Sequence, residues 1–345
     1  MRIKAKGVHR IAGASLIATL GLLAAACGSS SSATNNASTT SAPAASTTTA
    51  ANLTPATINV GVLPIADVAP LYLGMKQGFF AKQKLTVVPH ALQGGAAVAS
   101  AVVGGSLQFG FGATANLILA VSQKLPLEFV ASGDSAAADA STAWSAIQVN
   151  ASSGISSIKD LAGKTIAANA TQGENELALD SILIKNGVDP KSVHVIAMPF
   201  PSMPSALSSG HVQAVTEVEP FVSSINAHGG KVLSPLFEGM QPSLLVAGYF
   251  ATASEISTDP GLVKRFVTAM NESLDYAAQN PDAVRQIIPT YTTIPASVAS
   301  NLKLPVWNSA LNTSSIQSQE TLMKQLGWMT STIPVSQLVW SGAKQ

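Results

Sequence analysis

Residues 57–88, TINVGVLPIADVAPLYLGMKQGFFAKQKLTVV, contain the pattern that decides the fold. The apolar runs 58–62 and 85–88 are typical of short buried strands. The stretch between them has an apolar stripe at the helical spacing of four, made by Leu71, Met75 and Phe79. A strand, a helix and a second strand in this order predict two parallel strands with the helix packed across them.

The same alternation continues to about residue 227. Further strands are predicted at 107–111, 127–131, 146–149, 165–168, 194–197 and 214–218, with helices between them. This order predicts an α/β protein with parallel sheets covered on both faces. The small, polar stretch 132–142 interrupts the rhythm and is a candidate hinge, and 248–252 is a candidate second crossover.

The C-terminal part is predicted to be helical. Asp259 and Pro260 are the cap and first residue of a helix that ends near Asn280, and shorter helices follow at 281–288, 295–302 and 314–328. A chain of this length exceeds the usual size of one core, so we expect two lobes. The predicted division gives 57–140 and 248–345 to lobe 1 and 141–247 to lobe 2.

The N-terminal residues predict export and a lipid anchor. Four basic residues precede an uncharged apolar run, 11–26, which is short for a membrane span and ends in small residues before Cys27. This resembles a bacterial lipobox, in which the cysteine is lipidated. Residues 1–26 are thus a predicted signal peptide, 27–56 a predicted Ser/Thr/Ala-rich tether, and the expected location is the outer face of the cytoplasmic membrane.

Composition excludes several classes of function. The chain has 19 Lys and Arg against 18 Asp and Glu; four basic residues precede Cys27, which leaves 15 against 18, a formal charge of −3. Only Arg265 and Arg285 remain as arginines, so nucleic-acid binding is not expected. Cys27 is the only cysteine, which excludes an internal disulfide, a catalytic thiol in the mature fold and a thiolate metal site.

Several stretches resemble one family of binding proteins. Residues 58–62, 67–74 and 78–80 are similar to the opening of periplasmic binding proteins of the nitrate, taurine and alkanesulfonate type, and the similarity continues at 158–167 and 219–221. Yeast thiamine-pyrimidine synthase and bacterial thiamine-precursor binders share that superfamily. The resemblance implies a type II binding-protein fold, two α/β lobes joined by two crossovers, which captures a small solute and delivers it as a monomer to an ABC permease and its ATPase.

The resemblance also implies a ligand site in loops at the carboxyl ends of strands. The implied ligand-binding residues are Ile65, Asp67, Val68, Tyr72, Gln93, Gly94, Gly95, Gly112, Ala113, Thr114 and Asn116 in lobe 1, and Thr171, Gln172, Gly173, Asn175 and Glu219 in lobe 2. Aromatic walls are expected from Tyr72, Trp144, Phe221 and Tyr249.

Each of these residues also has a structural alternative. Asp67 contacts a ligand or caps the helix at Ala69, and Glu219 contacts a ligand or only bridges the lobes. The hydroxyl and amide side chains among them are equally good helix caps, namely Thr114, Asn116, Thr171 and Gln172. The glycines fit a turn alone as well as a close approach to ligand.

The sequence is compatible with two classes of ligand, one anionic and the other amine-bearing or neutral. Helix N-termini at these loops favour an anionic or accepting group, and the resemblance makes a sulfonate or taurine-like compound the leading ligand. However, the loops contain no arginine for a bidentate clamp, and Asp67, Glu174 and Glu219 suit an amine-bearing or neutral ligand.

Rival functions are a sensory receptor of the same fold and, with weaker support, an enzyme. Residues 110–115 fit a dinucleotide-binding turn with Asp134 beyond it, although the preceding strand is the third and not the first. Hydrolase and zinc-site spacings are absent from the sequence, and the thiamine-pyrimidine synthase depends on a cysteine-rich iron motif that Cys27 alone does not supply. We therefore predict a binding protein without catalytic residues, metal or cofactor.

Overall fold

Two mixed five-stranded sheets form the framework of residues 53–345, the part of the chain that the computed structural model describes. In chain order the strands are β1 (Ala56–Val62), β2 (Leu85–Ala91), β3 (Phe109–Ala113), β4 (Leu127–Ser135), β5 (Ser145–Asn150), β6 (Thr165–Ala168), β7 (His194–Ala197), β8 (Ala214–Val218), β9 (Gly230–Pro235) and β10 (Leu245–Thr252). The first sheet has the order β2-β1-β3-β10-β4 and the second β7-β6-β8-β5-β9. The protein is therefore α/β with two lobes, as predicted.

Helices connect these strands and form the C-terminal part. They are α1 (Ala69–Gln77), α2 (Phe79–Lys82), α3 (Gly95–Val103), α4 (Thr114–Ser122), α5 (Glu174–Lys185), α6 (Met203–Ser208), α7 (Phe221–Ala227), α8 (Phe237–Met240), α9 (Ala253–Thr258), α10 (Pro260–Gln279), α11 (Pro281–Ile287), α12 (Ala296–Ala299), α13 (Thr313–Gln325) and α14 (Val335–Leu338). Among residues 53–345, no helix combines the length and apolar character that a membrane span requires.

The prediction of parallel sheets is right for the helix-connected strands and wrong for the two strands that pass between sheets. β1 is parallel to β2 and β3, and β6 is parallel to β7 and β8. β10 is antiparallel to β3 and β4, and β5 is antiparallel to β8 and β9. A parallel neighbour needs a long crossover connection, whereas a strand arriving from the other sheet is free to enter in either direction.

Two further differences concern strand limits. β4 continues through Ser132, Gly133 and Asp134 to Ser135, residues that the sequence analysis assigned to the hinge. Their small side chains are buried in the sheet because β10 pairs with this end of β4. The edge strand β9 was not predicted, because its residues are partly exposed and lack a continuous apolar run.

Helix α10 fixes the C-terminal part against the first sheet. The Asp259 side chain accepts a hydrogen bond from the Leu262 backbone N–H, which confirms the predicted N-cap. The apolar side chains of Val263, Phe266, Val267, Met270 and Leu274 on α10 are buried, and the Phe266 ring stacks on Phe109 of β3 with ring centroids 3.9 Å apart. The predicted signal peptide, Cys27 and most of the tether lie outside the described residues.

Candidate ligand-binding site

A small cavity of about 40 Å³ lies between the two sheets, at the ends of strands from both. Loops after β1 and β6, the ends of β3 and β8, and the first turn of α5 enclose it, in agreement with the rule that ligands bind at the carboxyl ends of strands. The residues that line it are Leu63, Ile65, Asp67, Gly95, Phe111, Gly112, Ala113, Asn116, Asn169, Ala170, Glu174, Asn175, Phe200, Val218, Phe237, Val246 and Ala247.

A larger groove of about 710 Å³ adjoins the cavity. Its walls are α3 and α4 on one side and residues around Ala170 and Ala197 on the other. Cavity and groove share six lining residues, Gly95, Gly112, Ala113, Asn116, Asn169 and Ala170. The groove therefore extends the cavity outward, and no charged side chain is among the residues that line it.

The two lobes are joined by hydrogen bonds across the site. The Ala115 backbone N–H donates to Glu174 Oε2 at 2.7 Å, and the Glu174 backbone N–H makes a longer contact of 3.4 Å with Asn116 Oδ1. On another side of the cleft, the Ala66 backbone N–H donates to the Glu219 carbonyl oxygen at 3.0 Å. These contacts describe a closed arrangement of the lobes around the cavity.

Gly173 permits this close approach. A Cβ atom at residue 173 would lie 3.0 Å from both Asn116 Nδ2 and Asn116 Oδ1, closer than most real Cβ contacts. Gly173 has an extended φ of −108°, so steric room at the lobe interface, and not an unusual backbone conformation, explains the glycine.

Two buried carboxyl groups, those of Asp67 and Glu174, line the cavity without a cationic partner, and a third, that of Asp134, lies near them outside the lining. Asp67, Asp134 and Glu174 are 3%, 0% and 2% exposed, respectively. Buried oxygens without a hydrogen-bond partner are Asp67 Oδ1, both carboxyl oxygens of Asp134 and Glu174 Oε1. Within residues 53–345, no lysine or arginine lines the cavity or the groove.

Burial raises the pKa of these acids. The pKa of Asp67 and that of Glu174 are each raised to about 8, in both cases chiefly by loss of hydration. The pKa of Asp134 is raised well above its usual value, first by burial and then by the negative charges of Asp67 and Glu174. The charges of Asp67 and Glu174 thus oppose ionisation of Asp134, and burial favours the protonated form of each of the three carboxyls.

Tyrosines surround the acid group. The Tyr249 hydroxyl is buried without a partner, and its pKa is raised well above its usual value, first by burial and then by the neighbouring Asp134 charge. Tyr72 and Tyr291 stack with ring centroids 4.0 Å apart, and the Tyr291 hydroxyl donates to the Ile65 carbonyl oxygen at 3.2 Å. Aromatic rings thus support the loop that holds Asp67.

The structure divides the implied ligand-binding residues into groups. Those that line the cavity are Ile65, Asp67, Gly95, Gly112, Ala113, Asn116 and Asn175, and Thr171 lines the groove. Those that line neither are Val68, Tyr72, Gln93, Gly94, Thr114, Gln172, Gly173 and Glu219. Among the expected aromatic walls, Trp144 packs against Phe237 and donates from Nε1 to the Ser135 carbonyl oxygen, which makes it a core residue.

Several of the structural alternatives now have an answer. Thr114 donates from Oγ1 to the Leu245 carbonyl oxygen, which ties α4 to β10. The Glu219 carboxylate accepts hydrogen bonds from Ser223 Oγ and Ser223 N–H, so its side chain caps α7 while its carbonyl bridges the lobes. Asp67 makes no side-chain cap for α1, which leaves its carboxyl available at the cavity.

Some N–H donors at the helix N-termini near the cavity are already occupied. Groups of the protein itself accept from one N–H group in the first turn of each of α4, α5 and α7, namely the side chains of Glu174, Asn116 and Glu219. Helix α3, whose first residue Gly95 lines the cavity, has no side-chain cap, so an anion site at helix N-termini stays a prediction.

Sequence reasoning missed Asp134, Asn169, Phe111, Phe200 and Phe237 as residues at or beside the cavity. Asn169 directly follows β6, so the strand-end rule would have found it had the loop begun one residue earlier. Asp134 was assigned to the hinge and to a dinucleotide pattern, because β4 was predicted to end at residue 131. The three phenylalanines carry no local signal that separates them from ordinary core.

The glycines of the dinucleotide pattern have a packing explanation. Cβ atoms at Gly110 and Gly112 would lie 2.7 and 2.8 Å from ring atoms of Phe250 on β10. The two glycines therefore make room for an aromatic ring on the adjacent strand, and the pattern needs no bound pyrophosphate to account for it.

Comparisons with known proteins agree with this architecture. The profile of the family described as NMT1/THI5 like matches residues 65–284. A search of curated protein sequences finds no match.

Solved structures of similar fold come from several organisms. The alkanesulfonate-binding protein SsuA from Xanthomonas axonopodis pv. citri, bound to MOPS, has a TM-score of 0.70 at 16% identity over 83% of this chain and 98% of that one. The nitrate-binding protein NrtA from Synechocystis PCC 6803 has a TM-score of 0.70 at 15% identity, over 83% and 86%. A Candida albicans protein described as having the generic periplasmic binding protein fold has 0.65 at 15%, over 84% and 98%. The fold is thus that of periplasmic binding proteins.

Proposed function

We propose that this chain, which belongs to the NMT1/THI5 like family, is the solute-binding component of an ABC import system. The observation that carries the proposal is the pair of cross-lobe contacts at Glu174, which join α4 to α5 over a cavity lined by both lobes. The proteins of similar fold described above are binding proteins for an alkanesulfonate and for nitrate, which supports the same role here.

The mechanism is ligand-stabilised closure. The ligand-free protein exchanges between an open form, which exposes the cavity, and the closed form. A ligand that contacts both lobes makes the closed form dominant, because only this form has all the ligand contacts. The permease then recognises the closed surface. In this mechanism the hydrogen bonds of Glu174 and Asn116 hold the lobes together in the closed form, and Gly173 provides the space for these contacts.

We test the function by thermal shift and small-angle X-ray scattering on the purified protein. A ligand at about 100 times its Kd adds about 2.7 kcal/mol of stability, which a thermal shift detects. Every ligand that raises Tm should also reduce the radius of gyration. Stabilisation by ligands without compaction would contradict the closure mechanism.

The proposal also covers export of the protein, its lipid anchor and the division of the chain into lobes. We propose that Cys27 is lipidated and holds residues 57–345 outside the cell at the cytoplasmic membrane, with lobes divided as 57–140 with 248–345, and 141–247. Mass spectrometry of the mature N-terminus tests the lipid directly. Cys27→Ser should move the protein from the membrane fraction to the soluble fraction, whereas Ser30→Ala should leave it membrane-bound.

The buried carboxyls of the cavity bear on the ligand class that the resemblance implies. A sulfonate or taurine-like ligand stays the prediction from resemblance, although its anionic group would meet the buried Asp67 and Glu174. We therefore propose a small organic solute and include sulfonates, taurine and nitrate in the ligand panel as a direct comparison.

A further inference from the structure

We propose that the ligand is an organic cation, with a primary ammonium group bound by Asp67 and Glu174 and an apolar tail in the groove beside α3 and α4. This inference rests on the proposed function and names its substrate class. It follows from the unpaired oxygens of the cavity, from the absence of lining cations and from the apolar character of the groove.

The carboxyl oxygens supply the first argument. Asp67 and Glu174 line the cavity, are buried, and each has one oxygen without a hydrogen-bond partner. Asp134, which lies near both but outside the lining of the cavity, has two. A buried acceptor without a donor is costly, and a primary ammonium group brings three N–H donors at once. Such a ligand satisfies several of these oxygens in one step.

Charge supplies the second argument. Asp67 and Glu174 line the cavity, and among the described residues the lining includes no lysine or arginine that would neutralise their ionised forms. A bound cation would restore favourable pairing in a site of low dielectric, where the interaction is strong.

The groove supplies the third argument. At about 710 Å³ it lies within the volume range of small-molecule sites, and it adjoins the cavity through six shared residues. Its walls are mainly alanine, leucine, valine and glycine from α3 and α4. Apolar walls next to a carboxyl group fit a ligand with a charged head and a hydrocarbon or aromatic body.

Proton release is a consequence that a different ligand class would not share. Cation binding needs ionised carboxylates, while Asp67 and Glu174 hold protons up to about pH 8 in the closed, ligand-free site. Binding of an ammonium ion below this pH therefore expels protons. The affinity should rise with pH between about 6 and 8.

The test compares four ligands that share a hexyl chain and differ in the polar head group. Hexylammonium, 1-hexanol, hexanesulfonate and hexyltrimethylammonium are titrated by calorimetry at pH 6 and pH 8. Hexylammonium should bind at least about tenfold more tightly than the others, because only it combines charge with several N–H donors. Its binding enthalpy should also depend on the ionisation enthalpy of the buffer, which reports the released protons.

Charge-removing variants locate the head group. Asp67→Asn and Glu174→Gln should each weaken hexylammonium binding by about tenfold or more and reduce the number of protons released. Asp275→Asn, which removes an exposed carboxylate on α10, should change neither quantity. If a site variant fails to fold, the comparison of the four hexyl compounds on the natural protein still decides the question.

Several outcomes would overturn the inference. Equal or tighter binding of hexanesulfonate, hexanol or a divalent cation, and no binding of hexylammonium at millimolar concentration, each contradict it. Compaction with a sulfonate, taurine or nitrate would overturn the cation while leaving the solute-binding function intact. Absence of compaction with every ligand that binds would instead contradict the function itself.

Discussion

Glu174 Oε2 accepts a 2.7 Å hydrogen bond from the Ala115 backbone N–H, so the first residue of α5 closes the N-terminus of α4 in the opposite lobe. The same residue has its second carboxyl oxygen unpaired at the cavity. The Glu174 carboxyl thus contacts the opposite lobe through one oxygen and lines the cavity with the other.

Replacing Glu174 tests this double role. Glu174→Ala leaves the Ala115 N–H without a partner in the closed form, which should disfavour closure by about 1–3 kcal/mol. Glu174→Gln retains an acceptor for Ala115 and should close more readily than Glu174→Ala, although it loses the charge. Scattering at saturating ligand should give the larger radius of gyration for Glu174→Ala. Identical radii for the two variants would show that the hydrogen bond does not control closure.

Gly173→Val tests whether space between the lobes limits closure. The added side chain would press on Asn116, whose amide atoms lie 3.0 Å from the Cβ position, so the closed form should be disfavoured while folding is retained. We expect about tenfold weaker ligand binding with little change in the ligand-free Tm. The matched control is Gly261→Ala in α10, where the Cβ would meet only Asp259 Oδ1 at 3.5 Å. Unchanged affinity of Gly173→Val would remove Gly173 from the closure mechanism.

Gly112→Ala tests the packing explanation for the glycine pattern. The added methyl group would lie 2.8 Å from the Phe250 ring, and overpacking of this kind costs about 1–3 kcal/mol of the free energy of unfolding. Phe250→Leu alone should also destabilise, because it leaves a cavity. The double variant should lose less stability than the sum of the losses in the two single variants. Urea denaturation of all four proteins in a double-mutant cycle measures this difference. Simple additivity would mean that Gly112 and Phe250 are not coupled.

Much of the fold could be predicted because the relevant signals are local. The Asp259-Pro260 pair and the apolar spacing after it define the start and the buried face of α10 without reference to the rest of the chain. The directions of β5 and β10 could not be predicted, since each enters a sheet formed by strands distant in sequence. No local pattern records that insertion.

The candidate site likewise contains residues that the sequence predicts and residues that it does not. The rule that ligands bind at strand ends correctly places Asp67 and Asn116 at the cavity, because β1 and β3 have clear apolar patterns. Asp134 was assigned to a hinge, since its strand end is buried only through pairing with β10, more than a hundred residues later. The acid group therefore emerges from tertiary contacts and not from any single stretch of sequence.

Stability of the ligand-free protein should fall as pH rises through the neutral range. Burial raises the pKa of Asp67 from 3.8 to about 8, so the folded protein holds a proton between about pH 4 and pH 8 that the unfolded chain has released. The unfolded state binds fewer protons across this window, and the free energy of unfolding therefore decreases with pH. Below about pH 4 both states are protonated and the contribution is present in full.

Urea denaturation at pH 5, 6.5 and 8 measures this dependence, and Asp67→Asn isolates the contribution of one carboxyl. The variant should lose less stability than the natural protein between pH 5 and 8, because its amide does not titrate. Asp275→Asn should retain the natural slope, since that carboxyl is exposed. If Asp67→Asn and the natural protein have the same slope, Asp67 is hydrated in the ligand-free state. The lobes would then be open in solution before ligand binds.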